Sequence, residues 1–163
     1  MTATNPPPEH AAIRVLFQNI GIINQLAGAV ARRALGSVSA GGTHLGTSEL
    51  SVLGRSIRIG DGETPTRLAR MFQLSKPSMS AIIAKLARKG LVELRADADD
   101  ARSKRVYVTG AGRAAHAAAE GALGVAMARE LAGVDVAAIL SAAPGIALLK
   151  GHMDEARNSV DGL

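Results

Sequence analysis

The side chains best placed for chemistry in this sequence are bases and hydroxyls at helical spacing, in the stretch Ser75-Lys76-Pro77-Ser78-Met79-Ser80-Ala81-Ile82-Ile83-Ala84-Lys85-Leu86-Ala87-Arg88. On a helical wheel Met79, Ile82, Ile83 and Leu86 share one face, and Pro77, Ala81, Ala84, Lys85 and Arg88 take the other, with Ser78 at its edge. Such a helix has an apolar back for a core and a small, basic front for a polar groove. A second concentration of charge follows in RADADDARSKRVYVT, residues 95–109, where three acids and four bases precede a β-type run. Leu91-Val92-Glu93-Leu94 alternates as a strand does, and Val106 to Val108 reads as its partner. The pair predicts a ribbon with a long, charged tip.

Charge is concentrated around these two features. Residues 64–109 carry ten Lys and Arg against four Asp and Glu, a balance of +6, whereas the rest carries nine against ten, or −1. A confined basic field is the footprint of a polyanion partner such as DNA. An anionic membrane would be drawn too, but binding it needs bulky apolar anchors, and this stretch has no Trp and only Phe72. The apolar segment Val15 to Val30 is broken by Gln18, Asn19, Asn24 and Gln25, so it is not expected to span a bilayer.

The flanking residues supply the supports. Thr47 or Ser48 is expected to cap a helix through Leu50, Leu53 and Ile57 that Gly60-Asp61-Gly62 ends. Thr64-Pro65 opens a second, short helix with Leu68, Ala69 and Phe72 on its apolar face. Gln73-Leu74 makes a tight turn, Ser75 caps the third helix, and Gly90 stops it after Lys89. Helix, turn, helix, strand, charged tip and strand is the order of a winged helix-turn-helix. A ligand-free αα-hairpin has the same periodicity; the charged ribbon after the second helix decides against it.

Helical spacing also runs through Ile13, Leu16, Phe17, Ile20, Ile23, Ala27, Val30 and Ala34, and again through Leu123, Met127 and Leu131. Val136 to Leu140 and Ile146 to Leu149 continue the apolar pattern. A small winged helix cannot cover this much apolar surface, and a homodimer is the expected solution. The fold class is therefore mainly α with a small β-ribbon: a winged helix-turn-helix at 47–109 between dimerisation helices at 11–35 and 110–163. Residues 11–163 read as a single domain after a flexible arm at 1–10, which lacks the basic start and apolar core of a secretory signal. A cytoplasmic protein is expected.

Enzymatic motifs are missing: there is no G-x-S-x-G, no P-loop, and no Ser or Cys nucleophile beside a histidine. The chain has no Cys, and His10, His44, His116 and His152 lack short-range ligand spacing, so neither a metal nor any other cofactor is expected.

The segment TPTRLARMFQLSKPSMSAIIAKLARKGLVELRADADDARSKRVYVTGAG, residues 64–112, resembles the MarR family of bacterial transcriptional regulators. Its marks come in order: Leu68-Ala69, Ser75, Leu86, the KGLV at 89–92, the D-x-R of Asp100 and Arg102, and the T-x-x-G of Thr109 and Gly112. Departures are Ala81 where a base is frequent, Ala101 for a frequent arginine, and Pro144 in the final helix. The resemblance implies a homodimer on an inverted-repeat operator, most often a repressor, released by a small aromatic or phenolic acid.

Within that frame Ser75 and the first amides of its helix suit a phosphate, and Lys76 and Ser78 add backbone or base-edge hydrogen bonds. Pro77 and Ala81 could meet thymine methyls, Lys85 a guanine and Arg88 a phosphate. Arg102 is the expected minor-groove arginine, and Asp100 would pair with a nearby arginine to fix the wing. Lys104 and Arg105 point to opposite strand faces, so one of them should face phosphate. Thr64, Arg67 and Arg95 complete the expected DNA-facing set. Asn19, Asn24, His44 and His116 are the candidate effector-binding residues. Two alternatives stay open: a less specific, DNA-shaping regulator of the same fold, and a winged-helix protein-interaction module.

Overall fold

The computed structural model describes residues 8–36, 44–60, 62–97 and 103–160. Two compact units divide at residues 127 and 128, and each is described by itself.

In the first unit the long helix α1 (Pro8–Gly36) follows the predicted apolar spacing, but only its C-terminal end joins the core, through Val30, Ala34 and Leu35. Farther toward the N-terminus its large side chains lie open, from Phe17 at 41% exposure to Ile23 and Leu26 at 62%. Helix α2 (Thr47–Ile59) starts one residue earlier than its expected cap allows. Gly46 occupies the cap position in place of Thr47 or Ser48, because Glu49 reaches back and its Oε2 accepts the Gly46 amide at 2.7 Å.

The next two starts follow the expected side-chain chemistry. Thr64 Oγ1 accepts the Arg67 amide at 3.2 Å and opens α3 (Pro65–Met71), and Ser75 Oγ accepts the Ser78 amide at 3.2 Å and opens α4 (Lys76–Arg88). Each has a proline in its first turn, where a missing amide costs no hydrogen bond. Gln73 takes a left-handed φ of 53° to make the turn between them. The apolar faces then meet: Leu53, Leu68, Met79 and Leu86 are wholly buried, with Val52, Ile83 and Val106 close behind.

Gly90, at φ 68°, turns the chain out of α4 into β1 (Val92–Ala96), which pairs antiparallel with β2 (Lys104–Val108). Both strands are longer toward the tip than the sequence pattern indicated, since Arg95 pairs with Arg105 and Ala96 with Lys104. The turn before α3 adds a third edge: Gly62 donates to the Val106 carbonyl at 3.0 Å, and Val106 donates to the Glu63 carbonyl at 2.9 Å. The middle of β2 is thus tied to the turn that opens α3.

The root of the ribbon is fixed by Thr109, which caps α5 (Gly110–Glu130). Thr109 Oγ1 accepts the Gly112 amide at 3.0 Å and donates to the Gly90 carbonyl at 2.8 Å. Gly112 packs directly on the Leu91 carbonyl, where a Cβ would collide with that oxygen and with Val108. These contacts give the T-x-x-G spacing its physical reason.

In the second unit Asp135 caps α6 (Val136–Ser141), its Oδ1 accepting the Ala138 amide at 3.1 Å. Helix α7 (Ala143–Val160) follows, with Pro144 in its first turn. Pro144 therefore begins a helix after a break instead of kinking one. By length and composition Val136–Ala156 could cross a bilayer. A break before Ala143 divides that span, and an exposed Lys150–Asp154 ion pair, at 2.8 Å, lies within it. Leu140 and Leu148 are nonetheless 63% and 77% exposed.

Gly112→Ala should lower stability by about 2–3 kcal/mol, the upper range for overpacking, because the obstacle is backbone. Gly121→Ala, in open space on the same helix, should raise it by up to about 1 kcal/mol. Thermal melts of the two variants beside wild type check the contrast; equal effects would remove the close approach as its cause.

Candidate nucleic-acid interface

Helix α4 presents the predicted two faces. Met79, Ile83 and Leu86 are buried and Ile82 half-buried, while Lys76, Pro77, Ser78, Ala81, Ala84, Lys85 and Arg88 are all exposed. Packing on α2 and α3 leaves the basic front turned outward. At the start of the helix the Ser75 and Ser78 hydroxyls share a hydrogen bond of 2.8 Å. Both oxygens are exposed, so an anion arriving at these amides would meet two hydroxyls able to turn toward it. Among the described residues no ion pair holds Lys76, Lys85, Arg88 or Lys104.

Other expected contacts are already engaged within the protein. Arg67 pairs with Glu63 at 3.2 Å, and Thr64 spends its oxygen on the cap. Arg95 lies over the Tyr107 ring, 4.5 Å from its centroid, and meets Glu93 Oε2 at 3.0 Å. Arg105 turns back to Asp97 at 2.8 Å and to the Gly62 carbonyl at 3.0 Å, leaving Lys104 on the exposed face of the strand. Asp97 was not among the expected site residues, yet its carboxylate is nearly buried and its amide extends the ladder to Ser103 at 3.0 Å. Asp100 and Arg102 lie outside the described residues.

Lys89 was also missed. It donates to both carboxylate oxygens of Glu49 at 2.8 Å and to the His44 carbonyl at 2.6 Å. Burial raises the Glu49 pKa, but the Lys89 and Gly46 hydrogen bonds and the charges of Lys89 and Lys85 outweigh it and hold the carboxyl below its usual range.

The four candidate effector residues are dispersed. Asn19 and Asn24 are exposed on α1, and His44 is exposed just before α2. His116 is half-buried against Gly54, with its Nε2 3.8 Å from Glu120. No hydrogen bond or ion pair among the described residues joins the four. A cleft of about 260 Å3 opens elsewhere, lined by Thr47, Ser48, Ser51, Val52, Phe72, Leu74 and Ile82, and includes none of them. Among the described residues no cluster of His, Asp and Glu could hold a metal ion.

A capped reading helix, a tight turn before it and a tied ribbon behind it define a winged helix-turn-helix of the kind found in transcriptional regulators. Residues 47–103, about a third of the chain, match the MarR family model. The chain as a whole has the fold of that family's regulators. It is similar to a C80S mutant of MarR from E. coli, at 21% identity over 82% of this chain and 96% of that one, with a TM-score of 0.70. It is also similar to an organohalide-sensing transcriptional regulator solved with 2,4-dichlorophenol bound, at 19% identity over 93% and 88%, with a TM-score of 0.69. A probable transcriptional regulator from Pseudomonas aeruginosa matches at 25% identity over 82% and 98%, with a TM-score of 0.64. No curated protein matches the sequence significantly.

The Glu49 pair predicts a pH dependence. A carboxyl held below its ordinary value of 4.5 stabilises the fold above that value, and the stabilisation is lost as pH falls through its lowered one. Glu49→Gln should therefore be less stable than wild type at neutral pH, with the two urea-unfolding midpoints converging in acid. Parallel curves over the whole range would show that the carboxylate is not held by Lys89.

Proposed function

We propose that the chain is a homodimeric, sequence-specific transcriptional repressor that binds an inverted-repeat operator and is released by a small aromatic or phenolic acid. The observation that carries the reading is the outward front of α4, where Lys76, Lys85 and Arg88 stand with small Pro77, Ala81 and Ala84 between them. Small residues let a helix sit deep in the major groove, and bases at its edges meet guanine or phosphate. The ribbon would follow the backbone, with Lys104 on its exposed face and Arg102 reaching into the minor groove.

The homodimer is supported by apolar surface that each unit leaves open. Ile23 and Leu26 in the first and Leu140 and Leu148 in the second are too exposed for side chains of their kind in one place. A twofold axis would set two reading helices about one turn of DNA apart. The ligand class is supported by the organohalide-sensing relative bound to a chlorophenol. On this reading the chain is no enzyme and works in the cytoplasm.

The protein should sediment as a dimer, and removing residues 1–35 should give an aggregating or unfolded product. A folded, DNA-competent monomer after that truncation would refute the assembly. Duplex binding should weaken steeply with salt, with a log–log slope below about −3. Lys85→Ala should narrow the gap between operator and random DNA, at about 1–3 kcal/mol per base contact, whereas Arg102→Ala should weaken both by similar factors. Competition titrations at fixed salt measure the two ratios. If Arg102→Ala lost discrimination and Lys85→Ala kept it, the two assignments would be reversed.

A further inference from the structure

We infer that Lys89 positions the reading helix and does not touch DNA: with Glu49 and the His44 carbonyl it clamps the C-terminal end of α4 to the start of α2. The inference rests on the DNA-binding reading above. By charge and position alone Lys89 belongs with Arg88, its neighbour, as a phosphate contact. Its hydrogen bonds say otherwise. An ammonium has three N–H groups. Here they meet three acceptors, Glu49 Oε1 and Oε2 at 2.8 Å and the His44 carbonyl at 2.6 Å, so none is left for a phosphate.

The clamp is closed on its other side as well. Glu49 is 7% exposed, and its Oε2 also accepts the Gly46 amide, so the same carboxylate caps α2 and holds Lys89. A carboxylate this buried is costly without its partner, which makes the geometry cooperative. Lys85 and Arg88 sit on the turn just before Lys89, so the clamp sets the angle at which both leave the protein surface. Because one of its legs is the His44 carbonyl, just after the connector from α1, displacement of residues 44–46 is transmitted to the reading helix. That makes the segment a point at which the basic front can be re-aimed without being touched.

The test uses the full-length chain and two duplexes, one selected by the wild type from a random pool and one of random sequence. Lys89→Met should weaken binding to the selected duplex about tenfold while leaving the salt slope unchanged. Glu49→Gln should reproduce that loss, and the double variant should be no worse than either single one. Amide exchange in residues 44–50 and 85–91 should rise together in Lys89→Met. A slope shallower by about one per protomer, with a loss that persists in the Glu49→Gln background, would make Lys89 a phosphate contact and overturn the inference. Should Lys89→Met fail to fold, Glu49→Gln carries the test alone, and unchanged affinity for the selected duplex in that variant would likewise refute positioning. If the wild type showed no salt-dependent duplex binding, the DNA reading itself would fail. The clamp would then stand or fall on the exchange data, where unchanged rates in residues 44–50 would refute it.

Discussion

The contact on which the rest of this winged helix depends is the approach of α5 to the Leu91 carbonyl. Backbone meets backbone there, and only a residue without a Cβ fits, which places Gly112. The Thr109 hydroxyl joins both sides of the contact, donating to Gly90 and accepting from Gly112. Gly90 is the residue that turns α4 into β1, and Thr109 is the one that turns β2 into α5. One small joint therefore fixes the end of the reading helix, the root of the ribbon and the start of the next helix together. A ribbon held so firmly at its root can be long and charged at its tip without losing direction.

Charge in the middle third of the chain divides into two populations that a simple sum cannot separate. Lys89, Arg105, Arg67 and Arg95 face carboxylates at 2.8–3.2 Å and work within the protein. The exposed pairs, such as Arg95 with Glu93, contribute little to stability and leave their arginines able to exchange partners. The part-buried pairs are different: Asp97 and Glu49 are both nearly covered, so Arg105 and Lys89 are fixed in place. Among the described residues Arg70, Lys76, Lys85, Arg88 and Lys104 form the second population, exposed and without a carboxylate partner, and a proposed DNA partner would meet these first.

The same division explains what the sequence made legible. Thr64 and Ser75 were readable as caps because a hydroxyl accepting an amide three residues on is local chemistry. The faces of α4 and the pairing of the ribbon were readable because burial imposes periods of 3.6 and 2. Gly46 was not, since its cap is supplied by Glu49, a residue that a local reading assigns only to the first turn. Nor was Lys89, whose acceptors lie 40 and 45 residues away. For Lys104 and Arg105, strand alternation separated the two side chains but could not say which one turned inward; the choice falls to Asp97, across the ladder. Asp100 and Arg102 fall outside the described residues, so the tip of the wing rests on the sequence alone.

A front built from Pro77, Ala81 and Ala84 is poor in hydrogen-bond donors, and this would shift the burden of the proposed recognition. A helix with many donors can tolerate a small error in aim, because some pairs survive the misalignment. With only Lys76, Ser78, Ser80, Lys85 and Arg88 as exposed side-chain donors on α4, each proposed base or phosphate contact is a large share of the total. Depth and angle then matter more than the number of groups. Depth is supplied by the small side chains. Angle is held at one end by the Gln73 turn and at the other by the Lys89 clamp and the Gly112 joint, three constraints far apart in sequence that meet on one short helix.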